Sequence, residues 1–328
     1  MADTIKKIAV LTSGGDAPGM NAAIRSVVRT CAYYDIACYG VRTGYEGLIN
    51  HDFIPMNARS VKDIINKGGT ILNSARSKEF RTKEGREKAY KNLREDNVDA
   101  LVVVGGDGSF TGALIFNQEF NFPVIGIPGT IDNDIYGTSH TLGFDTALNT
   151  VVEAIDKIRD TANSHNRLFF VEVMGRDVGH IALNTGVAGG AEEILIPEED
   201  LGLDRLVQSL KRSRKSGKSS SIVVVAEGDK IGKNVFELKD YVDNHMEDYD
   251  VRVSVLGHMQ RGGSPSCFDR VLASRMGVKA VESLIEGKTN YMVGLIYGKM
   301  ELTPLDKAIK GKSEINLELL RVSDIMST

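Results

Sequence analysis

The chain has 328 residues, 42% of them hydrophobic and 26% charged, an ordinary globular composition with enough apolar material for one large domain or two modest ones. Its formal net charge of -4 gives no global attraction to nucleic acid, so an anionic substrate must be caught by locally clustered arginines. Apolar runs such as Ile222 to Ala226 fall far short of the roughly 20 residues of a membrane span, and the first seven residues lack the apolar stretch of a signal peptide, so a cytoplasmic protein without a membrane partner is expected. Cys31, Cys38 and Cys267 are too sparse for a disulfide framework or a metal-ligand cluster.

Along the chain, short β-branched runs alternate with amphipathic stretches, the pattern of βα units and a mainly parallel sheet, so the fold class is α/β. A strand over Ile5 to Leu11 ends in the glycine turn Ser13-Gly-Gly-Asp16, and a helix follows over Asn21 to Tyr34. The strand Ala100 to Val104 runs into Gly105-Gly-Asp-Gly-Ser109, and the strand Val124 to Ile127 into Pro128-Gly-Thr-Ile-Asp-Asn-Asp134. A helix over Phe144 to Ala162 carries Phe144, Leu148, Val152, Ile155 and Ile158 at three- and four-residue steps, which predicts a buried stripe. Strands then follow at Leu168 to Val173, Ile222 to Ala226 and Val251 to Leu256, with a helix over Phe268 to Ile285. These strands are nearly continuous in apolar residues, as strands covered on both faces are. No Pro- or Ser-rich linker divides the chain.

Five glycine pairs, at 14–15, 68–69, 105–106, 189–190 and 262–263, point to loops that approach a ligand closely, since glycine removes the Cβ and reaches positive φ. None carries the Gly-Lys-Ser or Gly-Lys-Thr of a P-loop. Asp107, inside such a loop, suits Mg²⁺ beside bound phosphates or, alternatively, a helix N-cap. Asp132 and Asp134 stand on one side of the chain if the backbone is extended, where one carboxylate would accept a hydroxyl proton during phosphoryl transfer; Asp-Asn-Asp also reads as a simple turn.

Together with Glu172-Val-Met-Gly-Arg176 and Leu256-Gly-His-Met-Gln-Arg-Gly-Gly-Ser-Pro265, the segments from Thr12 to Ala23, Gly105 to Ser109 and Pro128 to Asp134 resemble the motifs of the bacterial ATP-dependent 6-phosphofructokinase family, in family order. The resemblance covers essentially the whole chain. It implies two domains, each a mainly parallel sheet flanked by helices in a three-layer, Rossmann-like arrangement, with a larger ATP domain over 1–142 and 260–308 and a smaller sugar-phosphate domain over 143–259 and 309–328. It implies that Gly15, Arg76, Ser77, Gly106, Asp107, Gly108 and Ser109 surround ATP, bordered by Tyr45 and Arg81, with Mg²⁺ at Asp107. Asp132 becomes the base toward the 1-hydroxyl of fructose 6-phosphate, with Thr130, Asp134 and Arg176 around the transferring group. Ile131, Met174, Gly175, Glu227, His258, Met259, Gln260 and Arg261 become the sugar-phosphate pocket, and Arg167 and Arg252 reach it from a neighbouring subunit of a homotetramer.

Arg25, Arg29, Arg159, Glu192 and Lys218 match the family's effector site for ADP or phosphoenolpyruvate. A family arginine falls on Ala58 and lysines fall on Ser216 and Ser219, so weakened control is expected. The positions that separate ATP users from pyrophosphate users are Gly108 and Gly129, small as in ATP users. A pyrophosphate-dependent relative and a non-catalytic nucleotide sensor are the alternatives, the latter disfavoured by the joint presence of Asp107, Asp132 and Arg176.

Overall fold

The computed structural model describes residues 5–165, 167–199, 202–215, 221–228, 234–246 and 250–326. In chain order the elements are β1 (Lys7–Thr12), α1 (Met20–Tyr33), β2 (Ala37–Val41), α2 (Tyr45–Ile49), β3 (Phe53–Met56), α3 (Lys83–Glu95), β4 (Ala100–Gly105), α4 (Asp107–Phe120) and β5 (Val124–Pro128). They continue with α5 (Phe144–His165), β6 (Arg167–Val173), α6 (His180–Gly189), β7 (Glu193–Leu195), α7 (Leu203–Lys215), β8 (Ser221–Ala226), α8 (Val235–His245) and β9 (Asp250–Val255). The last are α9 (Cys267–Ile285), β10 (Tyr291–Ile296), β11 (Lys299–Pro304), α10 (Leu305–Lys310) and α11 (Leu317–Met326). The chain forms two compact units, a larger one of Met1–Thr146 with Arg261–Ser313 and a smaller one of Ala147–Gln260 with Glu314–Thr328.

In the larger unit a seven-stranded sheet runs β11-β10-β5-β4-β1-β2-β3. Its five inner strands are parallel and both edge strands antiparallel. β4, apolar throughout, and β1, apolar from Ile8 to Leu11, sit at the centre because they are covered on both faces. On one face Leu11, Leu101 and Val103 pack with Phe110 and Phe116 of α4, Leu48 of α2 and Leu93 of α3; α1 and α9, packed against each other, serve the other. Helix starts are fixed locally: Thr82 Oγ1 accepts from Gly85 N at 3.1 Å to cap α3, and Ser266 Oγ accepts from Asp269 N at 3.1 Å to cap α9. The buried Asp269 carboxylate then accepts from Gly143 N and Thr146 N, both at 2.9 Å, fastening the start of α5 to α9.

The smaller unit holds a four-stranded parallel sheet, β7-β8-β6-β9. Leu168, Phe170, Val223 and Val225 form its core with Leu206 and Leu210 of α7 and Leu238 and Val242 of α8. The buried face of α5 runs through Phe144, Ala147, Val151, Ile155 and Ala162, whereas Leu148, Val152 and Ile158 are only half-buried. The expected stripe is therefore displaced by one residue at Leu148 and Val152, while Ile155 keeps its place against Gly189, where an added Cβ would come within 2.7 Å of it. Among the described residues no helix is long and apolar enough to cross a membrane.

Candidate active site

Strand β1 lies between β2 and β4, so the chain winds away from it in both directions, and the carboxyl ends of β1 and β4 flank a topological switch point, where open α/β sheets receive ligands. Both ends are glycine loops. Ser13 N donates to Val104 O at 2.9 Å and draws them together. A Cβ at Gly105 would lie 2.5 Å from Ser109 Oγ and from Ser13 O, so only glycine allows the approach. The segment before the 3₁₀ turn Glu79–Arg81 is laced to the first loop: Thr12 Oγ1 donates to Asn73 O at 2.8 Å, and Ser74 Oγ donates to Gly14 O. This brings the exposed Arg76 and half-buried Ser77 toward the loop. Arg261 reaches it too, its Nη1 donating to Asp16 O at 3.4 Å and lying 2.7 Å from where a Cβ of Gly15 would be.

Helix α4 starts with Gly106 as its N-cap and Asp107 as its first residue, so the alternative of Asp107 as the cap is not realised. Its 14 residues concentrate partial positive charge on the N–H groups of Asp107, Gly108 and Ser109, and a Cβ added at Gly108 would meet nothing within 4 Å. The result is an open anion cradle with a carboxylate in its first turn. Tyr45 lies beneath it: buried, stacked on Phe80, with its hydroxyl donating to Ser109 O. Burial holds that hydroxyl protonated far above its usual range.

The adjoining parallel strand β5 delivers the third loop, and Gly129 N donates to Gly105 O at 2.9 Å. Thr130 and Asp132 are buried, and Thr130 Oγ1 accepts from Asp132 N at 3.2 Å. Ile131 is fully buried, so its side chain faces the core. Asn133 takes a left-handed φ of 55°, locked by Thr141 N donating to its Oδ1 at 2.9 Å and by its Nδ2 donating to Ser139 O at 3.2 Å. The backbone between Asp132 and Asp134 is therefore bent, and the extended side-by-side geometry is not what forms.

In the smaller unit the carboxyl ends of β6, β8 and β9 bring together Met174, Gly175, Arg176, Glu227, His258, Met259 and Gln260. Gln260, fully buried, accepts from Met174 N at 3.1 Å and donates through Nε2 to Gly257 O at 3.0 Å, so its side chain ties two loops together. Arg176 holds a left-handed φ of 58°, and its N–H donates to Glu227 Oε1 at 2.8 Å. A Cβ at Gly228 would collide with Arg176 O, so that turn also requires glycine. Nearby, burial and the Glu227 carboxylate push the Glu172 carboxyl above its ordinary value. Arg167 and Arg252 are elsewhere, at the amino-terminal side of β6 and β9, where both bond Asp250, at 2.8 Å and 2.9 Å. The Arg167 guanidinium holds the Asp250 carboxyl below its usual range, with help from Arg252.

The phosphofructokinase family profile matches residues 7–284. The chain belongs to the phosphofructokinase family. It is 52% identical over 323 residues to the ATP-dependent 6-phosphofructokinase 1 of Thermus thermophilus, covering 98% of this chain and 100% of that protein. It is 51% identical to the ATP-dependent 6-phosphofructokinase 2 of Bacteroides thetaiotaomicron, covering 97% of this chain and 98% of that protein. Among solved structures, phosphofructokinase from Saccharomyces cerevisiae superposes with a TM-score of 0.89 at 38% identity, over 93% of this chain and 45% of that chain.

Of the effector-matched residues of this phosphofructokinase, Arg25 and Arg29 line a surface pocket of about 470 Å³ in the larger unit, with Thr30, Tyr33 and Ser274. Burial, and then Arg29, lower the Arg25 guanidinium below its ordinary value. In the smaller unit Arg159 donates to Gly189 O and Gly190 O, and the buried Glu192 accepts from Ile222 N at 2.6 Å. Lys218, like Ser216 and Ser219, lies outside the described residues. Residues that motif reading passed over are Asn133 and Asp250. For Asn133 the turn propensity of Asn was a usable signal; for Asp250 no local pattern marks the partner of two arginines.

Proposed function

We propose that this chain is an ATP-dependent 6-phosphofructokinase, moving the γ-phosphoryl group of ATP to the 1-hydroxyl of fructose 6-phosphate and releasing ADP and fructose 1,6-bisphosphate. One observation carries the reading: on adjacent strands of the larger sheet, the open N-terminus of α4 and the buried Asp132 carboxylate stand at the same edge. A helix N-terminus takes phosphates, and a carboxylate beside it takes the proton of the attacking hydroxyl. Gly108 leaves the space that a nucleotide donor needs.

In this reading Gly15, Arg76, Ser77 and Gly106 to Ser109 hold ATP on the larger unit, bordered by Tyr45 and Arg81, while Met174, Glu227, His258 and Arg261 hold the sugar phosphate, with Thr130, Asp134 and Arg176 near the transferring group. Mg²⁺ fits as an ion arriving with ATP. Among the described residues no group of three His, Cys, Asp or Glu side chains could cage a metal, and the single carboxylate Asp107 at the phosphate cradle is the sparse protein ligation that Mg²⁺ accepts beside phosphates. Bound there, it offsets charge on the phosphate oxygens.

Arg167 lies at the start of β6 and Met174 just past its end, about 23 Å apart at strand rise, and Arg252 pairs with Phe169, about 16 Å before Met174. One sugar phosphate cannot span both within a chain, which supports assigning Arg167 and Arg252 to the 6-phosphate of a neighbouring subunit in a homotetramer. Effector control by ADP or phosphoenolpyruvate is read as weak, since Arg159 and Glu192 already hold backbone of their own unit and Ala58 carries no charge. The setting is the cytoplasm.

A coupled assay with Mg²⁺, fructose 6-phosphate and either ATP or pyrophosphate tests the reading. ATP is expected to give turnover and pyrophosphate little, with half-saturation for the sugar moving little on adding either effector. Equal kcat/KM for the two donors would overturn the donor assignment, and no product with either would overturn the activity.

A further inference from the structure

Near its last turn, α4 presents Glu119, whose carboxylate accepts from Arg86 Nε at 2.6 Å and Nη2 at 2.7 Å. Arg86 lies on α3 and is only 7% exposed, which is unusual for an arginine and demands that every part of it be partnered. Its remaining nitrogen, Nη1, donates to Phe80 O at 3.0 Å and Arg81 O at 2.9 Å. These are the last two carbonyls of the 3₁₀ turn Glu79–Arg81. Phe80 in turn stacks on Tyr45, ring centroids 4.0 Å apart and 13° from parallel, and Tyr45 bonds Ser109 O in the first turn of α4. The stack is seated on that helix, since a Cβ at Gly112 would come within 3.1 Å of Tyr45 and 3.3 Å of Phe80. The contacts thus form a circuit that leaves α4 at Glu119 and returns to it at Ser109. Everything on the circuit is fixed relative to the anion cradle.

The segment held this way carries Ser77, whose Oγ accepts from Phe80 N at 3.1 Å, and Arg81, whose own side chain points outward to solvent. Both stand on the donor side of the site. We propose that Arg86, clamped by Glu119, is a positioning residue for nucleotide binding: it sets the backbone from Ser77 to Arg81 against α4 without touching the nucleotide itself. The inference rests on the reading of this edge as the ATP site. Its chemistry follows from the geometry of arginine. A planar fork with five donors can satisfy a carboxylate and two carbonyls at once, whereas lysine's single ammonium cannot do so in the same plane. Losing the guanidinium frees the turn, and a loosened binding loop must be ordered by the ligand at the ligand's expense.

The test is steady-state kinetics on the intact protein with Arg86→Ala, Arg86→Lys and Tyr45→Phe, together with thermal unfolding of each. Arg86→Ala is expected to raise the KM for ATP by about tenfold, the loss of one or two charge-assisted hydrogen bonds in preorganisation. The KM for fructose 6-phosphate should stay within about twofold, and kcat within about threefold, because no reacting atom is touched. Arg86→Lys should recover part of the ATP affinity. A merely structural role would lower the unfolding temperature and the fraction of active protein without separating the two KM values. If folded Arg86→Ala keeps the wild-type KM for ATP, or if both KM values rise equally, the proposal is overturned. Should Arg86→Ala not fold, Tyr45→Phe decides, with a rise of about twofold to fivefold in the KM for ATP alone expected and an unchanged KM overturning it. Wild-type protein that neither binds nor uses ATP would overturn the site reading and this inference together; wild-type turnover with unaffected variants overturns this inference alone.

Discussion

Asp132 is 6% exposed, at the end of a strand covered on both faces, in a loop whose next residue is locked left-handed by two hydrogen bonds of its own side chain. The backbone that carries the carboxylate is thus set before any proton is transferred. Asp132→Asn preserves shape and removes only that capacity, so kcat should fall on the order of 10²–10⁴-fold while both KM values change little. Turnover above about a third of wild type would take the proton-accepting role away from Asp132. Arg176 tells a related story in the smaller unit: a non-glycine residue at φ 58° carries backbone strain of about 1–3 kcal/mol, and the Glu227 carboxylate that bonds its N–H helps hold it there. The strain sits in the backbone alone: the Arg176 guanidinium is 68% exposed, with the Asp177 carboxylate 3.8 Å away.

At the scale of elements, α3 meets α4 through Tyr90 stacked on Phe120 and through the Arg86–Glu119 pair, with side chains 9% and 24% exposed. The bond from Arg86 keeps the Glu119 carboxyl below its ordinary value, and the same bond raises the Arg86 guanidinium above its own. A carboxyl whose folded value is depressed contributes stability that is complete above the ordinary value and disappears as the pH falls through the lowered one. Glu119→Gln should therefore be less stable than wild type near neutral pH, by about 1–3 kcal/mol, and the gap should shrink as the pH falls below the ordinary carboxyl range. A gap unchanged between about pH 7 and pH 3 in thermal melts would mean that ionisation of Glu119 contributes nothing.

The same element scale explains what the sequence disclosed. Strands β1, β4, β5, β6 and β8 were legible because each is almost uninterrupted in buried apolar residues, whereas β9, expected to be covered in the same way, is an edge strand with only Val251 buried. Strands β2, β3 and β11 have exposed positions and lie toward the sheet edges, and β7 has three residues, so none carries a signal that a window of residues would separate from loop. The start of α4 hides in glycines that belong to ligand approach rather than to helix propensity. At the site, the motif residues were visible as residue types, but their geometry was not. The burial of Tyr45 depends on Phe80 and Ser109, distant in sequence, whereas the bend at Asn133 uses Ser139 and Thr141, six and eight residues on, and was open to reading as a turn. Arg86 sits in a stretch so charged that it reads as a solvated face, and Glu119 lies 33 residues further on.

At the scale of the whole molecule, the sugar-phosphate reading predicts that sites are shared between copies. Arg167→Ala and Arg252→Ala should each raise the KM for fructose 6-phosphate more than that for ATP, since a phosphate bond from arginine contributes about 1.5–3 kcal/mol. Mixing Asp132→Asn protein with Arg252→Ala protein under conditions of subunit exchange should restore activity, because a hybrid assembly holds some sites with both groups intact. No recovery after confirmed exchange would rule out action across subunits.

Strand β10 lies between β5 and β11 in the larger sheet, yet it is encoded after the entire sheet of the smaller unit. On a ribosome adding about 5–20 residues per second, β5 therefore waits on the order of ten seconds for its neighbour. In that interval the smaller unit can complete all its strands, while the larger one presents a bare strand edge, the kind of surface that pairs with another nascent chain. Synthesis thus favours an order in which the second-encoded sheet closes first. Chains stalled after residue 260 should be cut by protease within residues 1–146, and chains stalled beyond the ribosome tunnel's length past residue 313 should resist there; equal resistance in both would mean that the early strands close without β10.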